Sequence, residues 1–273
     1  MREASTITGV GIQITVLGSG SAGNCTFIET ANTAVLIDAG LSGRQISQRL
    51  ATIGRQLDDL DAILVTHEHS DHVRGLGAIC KKHPVAVYAN RLTAEAINEE
   101  PDWTNGIRIP WRVFANGQTF SVGDLTVEPF SIPHDAFDPV AFTLHHGTHA
   151  IGVVTDLGHA TKLVVERVRQ MDFLILESNH DVRMLQDDTI RPWATRQRIM
   201  SRHGHLNNEA AAAVAAEVVS DRLRHLVLAH LSRDCNKPEL AQTVVGTKLR
   251  QLGATHVHVT AASQDQPTAT VQL

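Results

Sequence analysis

"ILVTHEHSDHVRGLGAI", Ile63 to Ile79, leaves a continuous apolar run at Thr66 and places three histidines and two acids within the next six residues. Packed as ordinary core, such a cluster suffers desolvation and self-repulsion. A bound cation would relieve both. If the backbone stays extended through His69, alternate side chains share a face, so His67 and His69 would meet one ion. Where the chain bends into a helix expected from about Arg74 to Lys82, Asp71 and His72 can reach a second ion. Imidazole mixed with carboxylate suits Zn²⁺, and also Mn²⁺ or Fe²⁺. The spacing differs from H-E-x-x-H, in which a helix brings i and i+4 together. The alternative, a solvated polar loop with chance histidines, sits poorly with so dense a motif directly after a buried strand.

One short motif cannot close two metal shells, so histidine or carboxylate should recur at other strand ends. "FSIPHDAF" puts His134 just past an apolar run, "IGVVTDLG" does the same for Asp156, and "HLVLAHLS" for His230. Each alone could be an ordinary loop residue. Together they share one topological position and would converge at one sheet edge.

Period-2 and continuous apolar runs predict strands at 12–17, 26–29, 34–38, 62–66, 85–89, 118–122, 125–132, 141–145, 150–155, 173–177, 226–229 and 256–260. Helical spacing predicts helices at 43–53, 161–170, 188–200, 207–221 and 237–251, besides the one after the metal motif. Continuous hydrophobic strands between amphipathic helices indicate sheets covered by helices. The hairpins between Gln118 and Thr155 make the sheet mixed. Two packed sheets with helices outside accommodate the whole pattern as one domain spanning 1–273, with chemistry on loops at one edge.

The 273 residues, 42% hydrophobic, allow a sizeable core. No segment approaches the ~18 apolar residues needed to span a membrane. The N-terminal MREASTITGVGIQITVLG has no apolar stretch of signal-peptide type, which points to the cytoplasm. Cys25, Cys80 and Cys235 form no disulfide framework and no C-x-x-C site. The net charge of −5 does not advertise nucleic-acid binding. Aromatic residues make up only 4%, so base-stacking platforms should be scarce and phosphate contact favoured.

The series H-x-H-x-D-H, then His, Asp and His, resembles the metallo-β-lactamase superfamily. That resemblance implies a four-layer αββα sandwich of α/β class with a dinuclear site. His67, His69 and His134 would hold one ion, Asp71, His72 and His230 the other, and Asp156 would bridge. "LGSGSAGNC", "LIDAGLSGRQI", "IPHDA", "ILESNHDVRML", "PWATRQRIMSRHGHLNNEAAA" and "LAHLSRDCNKPELA" narrow it, being similar to the WalJ (YycJ, VicX) family of bacterial metallo-hydrolases. The resemblance implies a 5′-to-3′ DNA exonuclease with a role in repair, using a hydroxide activated by two divalent ions. Arg202 and Asn207 stand where the family carries an acid and a hydroxyl.

Phosphodiester hydrolysis needs an in-line nucleophile and neutralised phosphate oxygens, which paired cations supply. Asp71 and Asp156 would orient the hydroxide. Ligand histidines need acceptors on their other ring nitrogen, and Asp38 and Asp135 are candidates. His205, ahead of His180, is the candidate proton donor to the leaving oxygen. Asn207 can cap the following helix, which leaves His205 free for that work. Backbone N–H groups of "GSGSAGN", Gly18 to Asn24, could face phosphate. Ser21, Asn24, Asn179, His180, Arg198, Ser232 and Asn236 complete the candidate substrate contacts. Two other functions compete: hydrolysis of a small phosphodiester, ester or lactone, and a regulatory module holding metal without catalysis. Structural metal sites tend to be closed and Cys-rich, which disfavours the last.

Overall fold

The computed structural model describes residues 11–104 and 106–273. The first ten residues of the N-terminal stretch discussed above lie outside them. In chain order the strands are β1 (Gln13–Gly18), β2 (Cys25–Glu29), β3 (Ala34–Ile37), β4 (Ala62–Leu64), β5 (Ala86–Asn90), β6 (Trp111–Phe114), β7 (Phe120–Val122), β8 (Leu125–Ser131), β9 (Val140–His146), β10 (His149–Val154), β11 (Phe173–Glu177), β12 (His225–Ala229), β13 (His258–Ala261) and β14 (Val271–Gln272). The helices are α1 (Gly43–Thr52), α2 (Ser70–Val73), α3 (Leu76–Cys80), α4 (Arg91–Glu99), α5 (Pro101–Thr104), α6 (Lys162–Val168), α7 (Val182–Gln186), α8 (Trp193–Ile199), α9 (Asn208–Val218) and α10 (Pro238–Gln251).

One sheet runs β14-β1-β2-β3-β4-β5-β6 and the other β13-β12-β11-β10-β9-β8-β7. Each is antiparallel in one half and parallel in the other, from β3 to β6 and from β10 to β13. Alternate residues of the central strands feed different cores. Ala62 and Leu64 enter the layer between the sheets, while Ile63 and Val65 face the helices. On β11, Ile175 lies between the sheets and Leu174 and Leu176 pack against α6, α9 and α10. Burial on both faces explains the uninterrupted apolar strands. The result is the expected αββα sandwich of two mixed sheets.

The helix expected from about Arg74 to Lys82 is instead two short ones, broken at Gly75. Its N–H leaves the helical pattern for the Ala39 carbonyl at 2.7 Å, and an added Cβ would stand 2.4 Å from the Leu41 carbonyl. Helix α8 is shorter than the 188–200 predicted. Asp188 closes a turn onto the Ile190 N–H at 2.8 Å, and Pro192 opens the helix. Strands β6 and β14 and helices α4, α5 and α7 were not legible. Helix α4 follows β5 with no loop, because Asn90 ends the strand and caps the helix through the Thr93 N–H at 2.9 Å. No helix of the described residues is long and apolar enough to cross a membrane.

Candidate metal centre

Every predicted ligand lies beyond the C-terminal end of a strand, at one edge of the sandwich. The chain must turn sharply there. Among the described residues, three non-glycine residues adopt positive φ: Asp38 at 60°, Asp156 at 58° and His230 at 54°. All three follow strand ends, after β3, β10 and β12. This left-handed conformation is costly for most side chains and is tolerated best by Asn, Asp and His. Strain at three points of one cluster is characteristic of functional sites.

His67 Nε2 lies 3.1 Å from His69 Nδ1, which lies 3.3 Å from His134 Nε2. On the other side, Asp71 Oδ2 is 3.3 Å from His230 Nε2 and 3.6 Å from His72 Nε2. Asp156 stands between the two groups. Its Oδ2 is 3.1 Å from His72 Nε2, and its Oδ1 is 3.6 Å from His230 Nε2 and 3.7 Å from His134 Nε2. Two nitrogens bound tetrahedrally at the usual zinc distance are about 3.3 Å apart, so these separations suit ligands of shared cations. Asp156 Oδ2 is also buried without a well-aligned hydrogen bond. The donor set therefore fits divalent metal on both sides of Asp156.

The outward nitrogens are held. His72 Nδ1 meets Asp38 Oδ2 at 2.7 Å, and Asp38 also accepts from the Thr66 N–H and hydroxyl. His67 Nδ1 meets Thr66 Oγ1 at 3.0 Å, and His134 Nδ1 the Gly204 carbonyl at 3.2 Å. Asp135, expected to serve one of these nitrogens, does not. It lies 3.4 Å from the inward Nε2 of His134 and binds Arg198 Nη1 at 2.8 Å. A peptide carbonyl took the role, which no side-chain inventory can forecast.

Glu177 is the residue the sequence did not yield. Fully buried at the end of β11, its Oε1 accepts from His205 Nδ1 at 2.8 Å and His230 Nδ1 at 2.9 Å. Its Oε2 accepts from the Leu157 and Leu206 N–H groups, both at 2.9 Å. Although Glu177, His205, His230 and Asp156 are close enough to be read as a further ligand set, both Glu177 oxygens are spent on these four donors. Its position as the last residue of β11, close to the strand ends that carry the other candidates, was the available signal.

Burial pushes His67 and His134 below the usual imidazole range. Burial alone would also raise the Glu177 carboxyl, but the His205 and His230 imidazoles override it and hold it down to about 2. Burial likewise opposes ionisation of Asp71 and Asp156, yet neighbouring histidines keep both well below the carboxylate range. His205 is raised against burial by Glu177, while burial lowers His180 to about 4.

The other candidates divide. His180 and His205 line a cavity of about 160 Å³ with Gly158, Met200 and Asn207. Arg198 is exposed beside Asp135, and Ser21 is exposed. Asn24, Asn179, Ser232 and Asn236 are turned inward instead. Asn24 Nδ2 reaches Asp71 Oδ2 at 3.3 Å and its Oδ1 accepts from Ser19 and Gly20. Asn179 donates to the His230 carbonyl, Ser232 accepts from the Cys235 N–H, and Asn236 closes a buried network with Asn208 and the Ser178 carbonyl. They position the cluster from behind. The amides of the glycine loop are consumed as well: those of Ser19, Gly20, Ala22, Gly23 and Asn24 all have protein acceptors. Of these amides, that of Ser21 alone has no acceptor among the described residues. Gly40 makes the loop packing possible, since a Cβ there would fall 1.6 Å from the Asp71 carbonyl oxygen. Asn207 caps α9 as expected, and Arg202 lies 2.7 Å from His159 Nε2.

The profile of the beta-lactamase superfamily domain matches residues 33–231. An exodeoxyribonuclease YycJ of Bacillus anthracis is 36% identical over 245 residues, 89% of this chain and 91% of that protein. The chain belongs to the WalJ (YycJ) family of the metallo-β-lactamase superfamily. The exodeoxyribonuclease WalJ of Streptococcus pneumoniae is also 36% identical, over 89% of this chain and 90% of its own. In three dimensions the family chain superimposes on the metallo-beta-lactamase fold protein YhfI of Bacillus subtilis. The TM-score is 0.73, with 97% and 100% of the chains covered at 17% identity.

Proposed function

We propose that the protein is a metal-dependent phosphodiesterase that removes nucleotides from DNA ends, 5′ to 3′, in DNA repair. One observation carries it: a three-histidine group and a histidine–aspartate group face each other across Asp156, whose oxygens approach both. The names of the 36% identical relatives support DNA as the substrate.

His67, His69 and His134 would hold one cation, and Asp71, His72 and His230 the other, with Asp156 shared. Zn²⁺ or Mn²⁺ suits this mixture of imidazole and carboxylate, and Fe²⁺ is compatible with it. Bound there, divalent cations supply an acidified water as nucleophile and positive charge against the phosphate oxygens. Asp38, Thr66, Gly204 and Glu177 accept at or face the outer ring nitrogens of four of the histidines, so that each would present an unprotonated inward nitrogen to a cation. Asp71 is aimed by Asn24 and can accept a hydrogen bond from the attacking water. His205 has its Nδ1 tied to Glu177, while its Nε2 has no hydrogen bond among the described residues. Glu177 favours the charged imidazole, so His205 can hold a proton at Nε2 and pass it to the leaving oxygen.

The test is digestion of matched DNA and RNA, single- and double-stranded, labelled at either end, with Zn²⁺ or Mn²⁺ added. Stepwise release of 5′-terminal mononucleotides from DNA is expected. Turnover of bis(p-nitrophenyl) phosphate or a lactone, with no shortening of DNA under either metal, would replace this function with that of a small-substrate hydrolase.

A further inference from the structure

Eight large apolar side chains are exposed among the described residues, and four of them fall on two segments that meet at the metal cluster. Phe137, 71% exposed, follows His134 by three residues, and its N–H is pinned to Glu68 of the metal motif at 2.9 Å. Ile190, Trp193 and Met200 belong to the segment around α8, a helix with no buried residue. Arg198 on α8 binds Asp135, joining the segment to the Phe137 loop, and the His205 N–H donates to the Ile199 carbonyl at 2.9 Å. Its C-terminal end is therefore fixed at the cluster.

Helical spacing places Trp193, Arg196, Gln197 and Met200 on one stripe. Met200 lines the cavity shared with His180 and His205, and Trp193 lies about 10 Å farther along the stripe. The stripe thus leads from the candidate proton donor outward to an indole that is 68% exposed. From Ile190 to Asn208 the chain carries four arginines and no aspartate or glutamate, against a net charge of −5 overall. Arg191 and Arg198 are paired with carboxylates, but Arg196 and Arg202 face none among the described residues. An exposed aromatic ring beside arginines that lack a carboxylate partner, Arg196 meeting the Gln186 carbonyl and Arg202 the His159 ring, lies on a track from a hydrolytic centre and matches the chemistry of an unpaired polynucleotide strand: a base face for the ring and phosphates for the cations. A second copy of the chain is a poorer occupant, because symmetric contact would juxtapose two acid-free, arginine-rich segments.

We propose that the α8 stripe carries a single nucleic-acid strand away from the metal cluster, with Trp193 stacked on a base, Phe137 on the facing lip, and Arg196 and Arg202 supplying charge to the backbone. This rests on the nuclease function above and adds the form of its substrate: unpaired nucleotides next to the scissile phosphate.

Steady-state kinetics on a 5′-phosphorylated single-stranded decadeoxynucleotide and on bis(p-nitrophenyl) phosphate test it. Trp193→Ala lowers the ratio of kcat/KM on the oligonucleotide to that on the small ester by about tenfold or more, chiefly through KM, and Trp193→Phe restores most of the loss. Phe137→Ala lowers the same ratio by a smaller factor. An unchanged ratio in Trp193→Ala overturns the proposal while leaving the nuclease function standing. A second measurement uses metal-free protein in EDTA. The same oligonucleotide should quench tryptophan emission in the wild type and not in Trp193→Phe, whose remaining Trp103 and Trp111 are half-buried. Quenching without cleavage by the metal-loaded protein would keep the binding stripe and remove the nuclease function. Quenching by double-stranded DNA equal to that by single-stranded, or a wild-type dimer that Trp193→Ala dissociates without loss of oligonucleotide binding, overturns the stripe as a single-strand site.

Discussion

Replacing Glu177 with glutamine exchanges one acceptor oxygen for an NH₂ at a point where all four neighbours are donors. Two imidazole N–H groups meet Oε1 at 2.8 and 2.9 Å, and two backbone N–H groups meet Oε2 at 2.9 Å. If the amide NH₂ turned toward Leu157 and Leu206, two buried backbone donors would lose their acceptor, at about 1–3 kcal/mol each. Turning it toward the histidines costs less, but His230 must then give up its Nδ1 proton and carry it on Nε2. That nitrogen faces Asp71 at 3.3 Å and would no longer be a free lone pair. Loss of such an outer partner typically weakens metal binding 10- to 100-fold, about 1.4–2.7 kcal/mol. The expected result is a cation at Asp71, His72 and His230 whose Kd rises by that factor, while the one at His67, His69 and His134 keeps its affinity. Chelator-competition titration of the metal-free protein, with metal content measured on the same samples, resolves the two sites. If Glu177→Gln retains both cations at wild-type affinity, the buried carboxylate does not set the His230 tautomer and the reasoning fails.

Asp156→Ala should lower hydrolysis of every substrate by at least about a hundredfold and reduce bound metal below two equivalents, since both groups lose a shared oxygen; full activity in an assay with saturating Mn²⁺ would remove catalysis from this cluster. Gly40→Ala drives a Cβ onto the Asp71 carbonyl, so the loop carrying Asp71 must shift. Metal content should fall and the denaturation midpoint should drop by several degrees, and a wild-type midpoint would contradict the packing described. Chelation should lower Tm by several degrees and re-addition of Zn²⁺ or Mn²⁺ restore it, because cations that bind only the folded cluster stabilise it by mass action; calorimetry with and without EDTA decides. In the metal-free protein, Glu177 is depressed from an ordinary 4.5 to about 2. Its contribution to stability is thus complete above about pH 4.5 and lost as pH falls toward 2. Urea midpoints across that range should fall more steeply in the wild type than in Glu177→Gln.

Much of the architecture was written in local pattern. Strands buried on both faces must be apolar throughout, and ligands at strand ends must recur after such runs, so β4, β10 and β12 announced His67, Asp156 and His230, while the alternating pattern of β8 announced His134. Helix α9 was equally visible because Asn207 both caps it and frees His205. Where one residue closes an element and opens the next, as Asn90 does between β5 and α4, no loop composition marks the boundary. Edge strands of two to four residues such as β6 and β14 carry too little periodicity to stand out.

The division within the site has the same origin. Residue type and position in sequence determined which side chains could hold metal, because imidazole and carboxylate are required by the chemistry wherever the chain brings them. Which groups support those ligands was decided only by the tertiary structure. Whether an asparagine faces substrate, as expected of Asn24, Asn179 and Asn236, or spends its amide on a buried carbonyl depends on contacts between residues distant in sequence. Glu177 looked like the end of an ordinary strand. Four donors from three separate loops converge on it, and a convergence of that kind is a property of the folded chain and of no segment of it.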